Sequence, residues 1–334
     1  MAKVFISGIA GFLGSHLADA LIKEGHQVSG CDNLIGGYEE NVPKEATFYK
    51  YDCGNLKLMS KVLKDIDLVY HCAATAYEGL SVFSPVLVTQ NVFENSITMI
   101  TASIINKVKR FVFCSSMARY GKNEVPFLES MQCKPEDPYG ISKYAVELIL
   151  KNLSAVHGLE YVIVAPHNII GTRQKYDDPY RNVAAIMINL MLQGRQPIIY
   201  GDGEQKRCFS FVNDCVSPLV KLGFRDDVAG QIFNIGPDEE FVTINELAQT
   251  IAKLINFDLK PIYQPARPQE VELATCSADK ARKILGYKTT YTLEQGLKEM
   301  VDWIKQKGIK KFNYSLPLEI INEKTPKSWK EKLF

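Results

Sequence analysis

The 334-residue chain has no excess of charge of either sign, since 39 Lys+Arg stand against 38 Asp+Glu for a formal charge of +1. No whole-protein field therefore gathers nucleic acid or an anionic membrane, and an acidic ligand has to be met by local charges. No apolar stretch approaches the roughly 18 residues of a membrane span. The first strand-like run starts at Lys3, which is expected to leave no space for a signal peptide. The eight cysteines include no C-x-x-C pair, and several lie in apolar runs where Cys acts as a small hydrophobe, so neither disulfides nor a metal site are expected. Internal repeats, low-complexity tracts and Gly/Ser linkers are also missing. These absences predict a reduced, cytoplasmic, globular protein without metal, nucleic-acid or membrane partners. At 46% apolar residues the chain is long enough to bury roughly 70–75% of its unfolded surface.

What is present is an alternation. Short β-branched runs at Lys3–Ser7, Gln27–Asp32, Thr47–Tyr51, Asp67–His71, Arg110–Cys114 and Tyr161–Ala165 are interleaved with amphipathic stretches at Phe12–Glu24, Val86–Asn106 and Pro138–His157. Strand, helix, strand without hairpin signals predicts parallel strands joined by crossover helices. VFIS, LVYHC, FVFCS and YVIVA are apolar on both faces, as a central sheet covered by helices requires. The expected fold is thus α/β: a Rossmann, doubly wound parallel sheet over 1–166, with some later segments returning to it. A smaller, interleaved C-terminal substrate-binding domain is expected mainly over 167–310, followed by a polar, Lys-rich extension over 311–334 with no functional reading. Within the second part, helices are predicted at Asn182–Gln193, Thr243–Ile255 and Leu293–Lys305, and short strands near Pro197–Tyr200 and Ile232–Ile235.

Gly8-Ile-Ala-Gly11-Phe12-Leu13-Gly14 follows the first strand directly and opens the first helix. A backbone bare of side chains there lets a pyrophosphate approach the helix N-terminus. A glycine triplet alone also serves as turn punctuation; the strand before, the helix after and Asp32 at the end of the next strand favour dinucleotide binding. Asp32, followed by Asn33, should hold the adenosine ribose diol. A carboxylate there repels a 2′-phosphate, and no Arg lies between Asp32 and Tyr51 to neutralise one, so NAD is expected over NADP.

Tyr139-Gly-Ile-Ser-Lys143 opens a helix-like segment and places phenol and ammonium four residues apart on one face. A free Tyr is ionised to only about one part in a thousand at pH 7. A nearby Lys and a cationic nicotinamide ring both favour the phenolate, which would make the pair a base for a sugar hydroxyl. The same spacing also fits a solvated helix face. Cys114-Ser115-Ser116, at the end of a core strand on the carboxyl edge of the sheet, supplies a hydroxyl that could orient a substrate OH; its other reading is a strand-end turn that caps its own backbone.

Together these motifs resemble the extended short-chain dehydrogenase/reductases that act on nucleotide sugars, the UDP-glucose 4-epimerase-like family. The resemblance covers nearly the whole chain through GIAGFLGSHL, CDNL, YDCGN, HCAATA, SSMARYG, PYGISKYAVE, PHNIIGTRQ, GDGEQKRCFSFVND, FNIG and PARPQE. It implies bound NAD, a catalytic set of Ser116, Tyr139 and Lys143, and a substrate carrying a nucleoside diphosphate. It also places Asp52 and Cys53 near the adenine, Ala73, Ala74 and Ser115 along the cofactor, and Lys143 on the nicotinamide ribose. Asn168, Arg207 and Arg267 match positions that hold the diphosphate, and Tyr77 and Ser81 are candidate sugar contacts. For the two arginines a plain surface charge is the competing reading, although guanidinium is the group that pairs phosphate oxygens.

Departures from the family pattern narrow the reaction. Sugar 4,6-dehydratases place a glutamate two residues after the catalytic hydroxyl, often with an adjacent Asp. Met117 and Ala118 stand there and transfer no proton, so that reaction is not expected. His167 and Glu78 depart as well; His167 also reads as a packed strand-end residue, and if both face the sugar the substrate differs from glucose or galactose. The expected activity is NAD-dependent oxidation at C4 through a 4-keto sugar, as in a nucleotide-sugar 4-epimerase. The same residues would serve a one-way 4-dehydrogenase or 4-keto reductase, and a catalytically silent NAD-binding scaffold is the reading from another class. The family pairs helices matching Asn91–Asn106 and Tyr139–Leu153 across a homodimer, which is expected here also.

Overall fold

The computed structural model describes residues 1–269 and 271–334. Its centre is one sheet of seven strands: β1 (Lys3–Ser7), β2 (Gln27–Cys31), β3 (Thr47–Tyr49), β4 (Leu68–His71), β5 (Arg110–Cys114), β6 (Glu160–Pro166) and a last strand at Ile232–Ile235. The order across the sheet is Ile232–Ile235, β6, β5, β4, β1, β2, β3, and every pairing is parallel. β4 and β5 are buried at every position, which explains the apolar runs Leu68–Tyr70 and Phe111–Cys114 within them. The chain leaves β1 towards β2 on one side and resumes at β4 on the other, so the carboxyl ends of β1 and β4 flank the switch point where open α/β sheets bind ligands.

Helices cover both faces. Helix Phe12–Lys23 and helix Val212–Phe224 bury Leu17, Leu21, Val216 and Leu219 on one side. Helices Leu56–Val62, Asn95–Ile105 and Pro138–His157 bury Met59, Ile100, Val146 and Leu150 on the other. The expected helix over Val86–Asn106 is instead two α-helical pieces, Pro85–Thr89 and Asn95–Ile105, joined by a π-turn at Gln90–Glu94. Helix Val212–Phe224 has no clear signal in the sequence because Pro218 and Gly223 interrupt it. Packing overrides that local preference: a Cβ at Gly223 would lie 2.1 Å from the Tyr70 hydroxyl, which reaches from β4 to the carbonyls of Leu219 and Val220 at 3.1 Å each.

A second lobe packs helices Val183–Leu192, Ile244–Ile255 and Leu293–Lys307 around Phe209 and Phe211. The two later helices begin with Thr capping boxes at Thr243 and Thr292. Residues 309–334, which include the extension 311–334 that has no functional reading in the sequence, form a strap. Trp329 and Phe334 pack with Tyr77, Leu80, Phe83 and Tyr180, and the Glu319 carboxylate accepts from the Val86 and Leu87 amides at the start of helix Pro85–Thr89. All eight cysteines are free. Among the described residues no helix is long and apolar enough to cross a membrane, and no group of His, Cys, Asp or Glu could hold a metal ion.

Candidate active site

The switch point opens into a cleft floored by Gly8, Gly11 and Gly14. Two of these positions exclude any side chain. Gly8 has φ +79° and a Cβ there would sit 2.9 Å from the Ala73 amide nitrogen, while a Cβ at Gly14 would lie 2.1 Å from the Gly8 carbonyl oxygen. The close fit brings β1, β4 and the first helix together. Gly11 caps that helix with no side-chain hydrogen bond, so its first amides are left for an anion.

Around the glycines the cleft is lined by Phe12, Leu13, Asp32, Asn33, Cys53, Ala73, Ala74, Ser115, Tyr139 and Lys143, all anticipated from the sequence. The Asp32 carboxylate is fixed by the amides of Leu34 at 2.7 Å and Ala10 at 3.1 Å; burial raises its pKa and these amides pull it back. Asp52 is placed differently. It is exposed, it does not line the cleft, and its oxygens accept from Asn33 at 2.6 Å, Gly54 at 2.7 Å and Asn95 at 3.0 Å. Asp52 thus braces Asn33 and Asn95, which do face the cleft, because its loop turns the carboxylate back on its neighbours.

Tyr139 enters the site at the first turn of helix Pro138–His157, whose N-cap Asp137 accepts from the Gly140 amide at 2.9 Å. It lines the second cavity together with Ser116, whose Oγ caps the turn Met117–Arg119 by accepting from the Ala118 amide at 3.1 Å. Lys143, one turn on, donates to the Cys114 carbonyl at 2.6 Å and holds its Nζ 5.9 Å from the Tyr139 ring centre. The structure therefore brings Ser116, Tyr139 and Lys143 together.

Their electrostatics correct one expectation. The phenol is not made acidic by the lysine in the protein alone: burial pushes the Tyr139 pKa well above its ordinary value, the Glu78 charge adds to this, and the nearby Ser116 hydroxyl and the Arg181 charge oppose it. Burial also pushes Lys143 down to about 8. Both groups are desolvated, so each favours its neutral form until a further charge arrives.

A second cavity adjoins the first and shares Phe12, Ala76, Ser115, Tyr139, Pro166 and Arg181 with it. Tyr77, Ser116, Asn168, Arg207 and Arg267 line it, as does Glu78. Tyr77 donates to Asp178 and is nearly fully buried. Asn168 adopts φ +40°, and its amide nitrogen lies 3.8 Å from the Met117 sulfur. Arg207 is steadied by the carbonyls of Lys206 at 2.8 Å and Glu272 at 3.1 Å, and the Arg267 guanidinium lies over the Tyr200 ring, 4.7 Å from its centre. Glu270, which ends PARPQE, lies outside the described residues.

One anticipated sugar-side residue, Ser81, points elsewhere, and His167 takes the packed strand-end position that is its other reading. Ser81 is fully buried and donates to the Glu78 carbonyl at 2.6 Å and to Asp137 at 3.3 Å, because the short helix Glu78–Ser81 turns it inward. His167 lines neither cavity; its Nε2 meets the Pro237 carbonyl at 2.7 Å and burial lowers its pKa. Two further residues escaped the sequence reading. Glu147 is buried, accepts from the Ser115 hydroxyl at 2.5 Å and pairs with Arg119 at 2.8 Å. Arg181 has only its charge as a signal, in a loop with no motif.

An amide-rich glycine turn beside a Ser, Tyr and Lys set, at the switch point of a parallel sheet, defines an enzyme that uses a dinucleotide on a hydroxyl-bearing substrate. The family model for the NAD dependent epimerase/dehydratase family matches residues 4–236, and the chain belongs to that family. It is similar to the crystal structure of a Thermotoga maritima UDP-glucose 4-epimerase with UDP-glucose, at 32% identity and TM-score 0.85, over 91% of this chain and 99% of that one. A Bacillus cereus UDP-glucuronic acid 4-epimerase in complex with UDP-glucuronic acid and NAD matches at 28% identity and TM-score 0.84, over 92% and 100%. A UDP-N-acetyl-alpha-D-glucosaminuronate decarboxylase of Bacillus cytotoxicus is 30% identical over 91% of this chain and 98% of its own. NAD is the cofactor, and the cleft fits it: bare glycines where a pyrophosphate lies, a buried carboxylate for a ribose diol, and a lysine at the far end.

Proposed function

We propose that the protein is a nucleotide-sugar 4-epimerase. The observation that carries this reading is the placement of Tyr139 on the wall shared by the cofactor cleft and the second cavity, with Lys143 on the cleft side and Ser116 on the other. Ser116 orients the sugar 4-OH and Tyr139 removes its proton. Lys143 holds the cofactor ribose and, once the site is occupied, favours the phenolate. NAD, when bound, accepts the C4 hydride and returns it. After the 4-keto sugar turns over in the cavity, Tyr139 gives the proton back to the oxygen on the other face. Asn168, Arg207 and Arg267 hold the diphosphate, and Tyr77 shapes the sugar end.

Several features support the details. Met117 and Ala118 follow Ser116 and carry no group that could eliminate water, so we set aside 4,6-dehydration. Residues 1–166 with their returning segments serve the cofactor, and 167–310 mainly serve the sugar nucleotide. Helix Pro138–His157 exposes Ile141 and Leu148, and Val86 and Ile105 are exposed on the helices Pro85–Thr89 and Asn95–Ile105 that pack beside it; we assign these to a homodimer interface in a cytoplasmic enzyme, testable by sedimentation at micromolar concentration.

The deciding experiment feeds C4-deuterated nucleotide sugars, UDP-hexoses and UDP-hexuronates first. Deuterium retained at C4 of an inverted product is expected. Ketone accumulating with stoichiometric NADH would instead identify a one-way dehydrogenase, and no turnover on any sugar nucleotide would identify a binding scaffold.

A further inference from the structure

Arg181 lies in the second lobe, immediately before the helix Val183–Leu192, yet it reaches the glycine turn. Its side chain is only 14% exposed. The Nε end faces the substrate side, 3.3 Å from the Tyr77 hydroxyl and 3.9 Å from the Asp178 carboxylate. The other end of the fork crosses to the cofactor side, where Nη2 would lie 2.1 Å from a Cβ at Gly36. Gly36 adjoins Gly37, which bridges to Gly11. The guanidinium therefore sits beside the turn whose amides await an anion.

Charge placement in the cleft makes this position significant. Among the described residues, three charged side chains line it: Asp32, Lys143 and Arg181. Asp32 stands at the end of β2, where the adenosine half belongs. Lys143 stands at the opposite end, bonded to the Cys114 carbonyl. A dinucleotide brings two negative charges between them, next to one fixed carboxylate. Arg181 is the cation on that stretch, and a planar guanidinium pairs phosphate oxygens with parallel hydrogen bonds. It is also the one charged residue among those described that lines both cavities.

We propose that Arg181 is the counter-ion of the cofactor pyrophosphate, tying the wall of the substrate cavity to the bound dinucleotide. Tyr77 and Asp178 hold the guanidinium from behind, so the ion pair is assembled across the two lobes. The inference rests on the NAD assignment, and on the proposed nucleotide-sugar reading only for the identity of the second cavity.

The test measures dissociation constants by calorimetry on nucleotide-stripped protein, using NAD, ADP-ribose, adenosine and UDP as separate probes. In Arg181→Met we expect NAD and ADP-ribose to weaken at least ten-fold, with adenosine and UDP within two-fold of the parent. Arg181→Lys, which keeps the charge and loses the fork, is expected to show a smaller loss with the same selectivity, and it carries the test if the Met variant does not fold. Unchanged affinity for ADP-ribose overturns the proposal, as does a loss shared equally by adenosine or confined to UDP. A parent protein that binds no NAD would instead overturn the cofactor assignment itself.

Discussion

The two lobes face the same cleft but assemble their contributions differently. In the sheet lobe each contribution sits at the end of a regular element: glycines after β1, Asp32 after β2, alanines after β4, serines after β5, and Tyr139 and Lys143 on the first turns of one helix. In the second lobe Asn168, Arg181, Arg207 and Arg267 come from irregular segments or two-residue strands far apart in sequence. A sheet lobe of this kind places its groups by backbone geometry, whereas the other lobe relies on side-chain packing. The strap at 309–334 is the extreme case, docked by an apolar cluster around Trp329 and Phe334 and by hydrogen bonds such as those from the Val86 and Leu87 amides to Glu319.

The sharpest test of this contrast is Tyr139→Phe. If the sheet lobe carries the chemistry, kcat falls by at least about a thousand-fold while NAD bound per protein, read by absorbance and release, stays as in the parent. Near-normal turnover would move the chemistry elsewhere.

Next in size is Trp329→Ala. Removing this buried ring from between Phe83 and Tyr180 should destabilise the strap by about 3–5 kcal/mol. KM for the sugar nucleotide should rise with little change in NAD affinity. Equal damage to both affinities would show that the lobes do not separate in this way.

Gly14→Ala tests the backbone-placed half. The added methyl meets the Gly8 carbonyl at 2.1 Å, and backbone cannot swing aside as a side chain can. A loss of about 2–4 kcal/mol in unfolding is expected, with weakened NAD binding.

The smallest effect is read from pH. His71, buried beneath the cleft between Ser7 Oγ at 2.6 Å and Ser96 Oγ at 2.8 Å, is pushed down to about 3 by burial, with the Lys143 charge adding to this. The unfolded chain takes up this proton near pH 6.5 and the folded one resists it to about 3, so stability falls as pH drops from 6.5 towards 3. His71→Asn should flatten that fall in Tm measured between pH 7 and 4. Lys143 runs by the same rule at the other end: with its pKa lowered to about 8, the penalty for its buried charge is full below pH 8 and fades as pH rises towards the free-lysine value. Lys143→Met should therefore raise the Tm of nucleotide-free protein at pH 7 by a few degrees and lose that advantage above pH 10.

Legibility in the sequence followed the same division. Helix Pro138–His157 and the strands Lys3–Ser7, Arg110–Cys114 and Ile232–Ile235 end where their patterns place them. The helix over Val212–Phe224 was hidden because Pro218 and Gly223 contradict it locally, and only packing on Tyr70 resolves the conflict. Ser81 carries a side chain suited to a sugar, yet it turns inward to Glu78 and to Asp137, and the position of Asp137, 56 residues away, is in no local pattern. Arg181 showed the reverse, a residue with no motif placed at the centre of the cleft.

From its residues alone this chain settled the parallel sheet, the dinucleotide turn and the spacing of a phenol and an ammonium on one helical turn. Each of these depends on periodicity or steric allowance within a few residues. Tertiary structure alone decided which polar groups face the cleft, that burial raises the phenol's pKa instead of lowering it, and that an arginine from the second lobe reaches the glycine turn. Those outcomes depend on desolvation and on contacts between segments more than a hundred residues apart, and a linear pattern encodes neither.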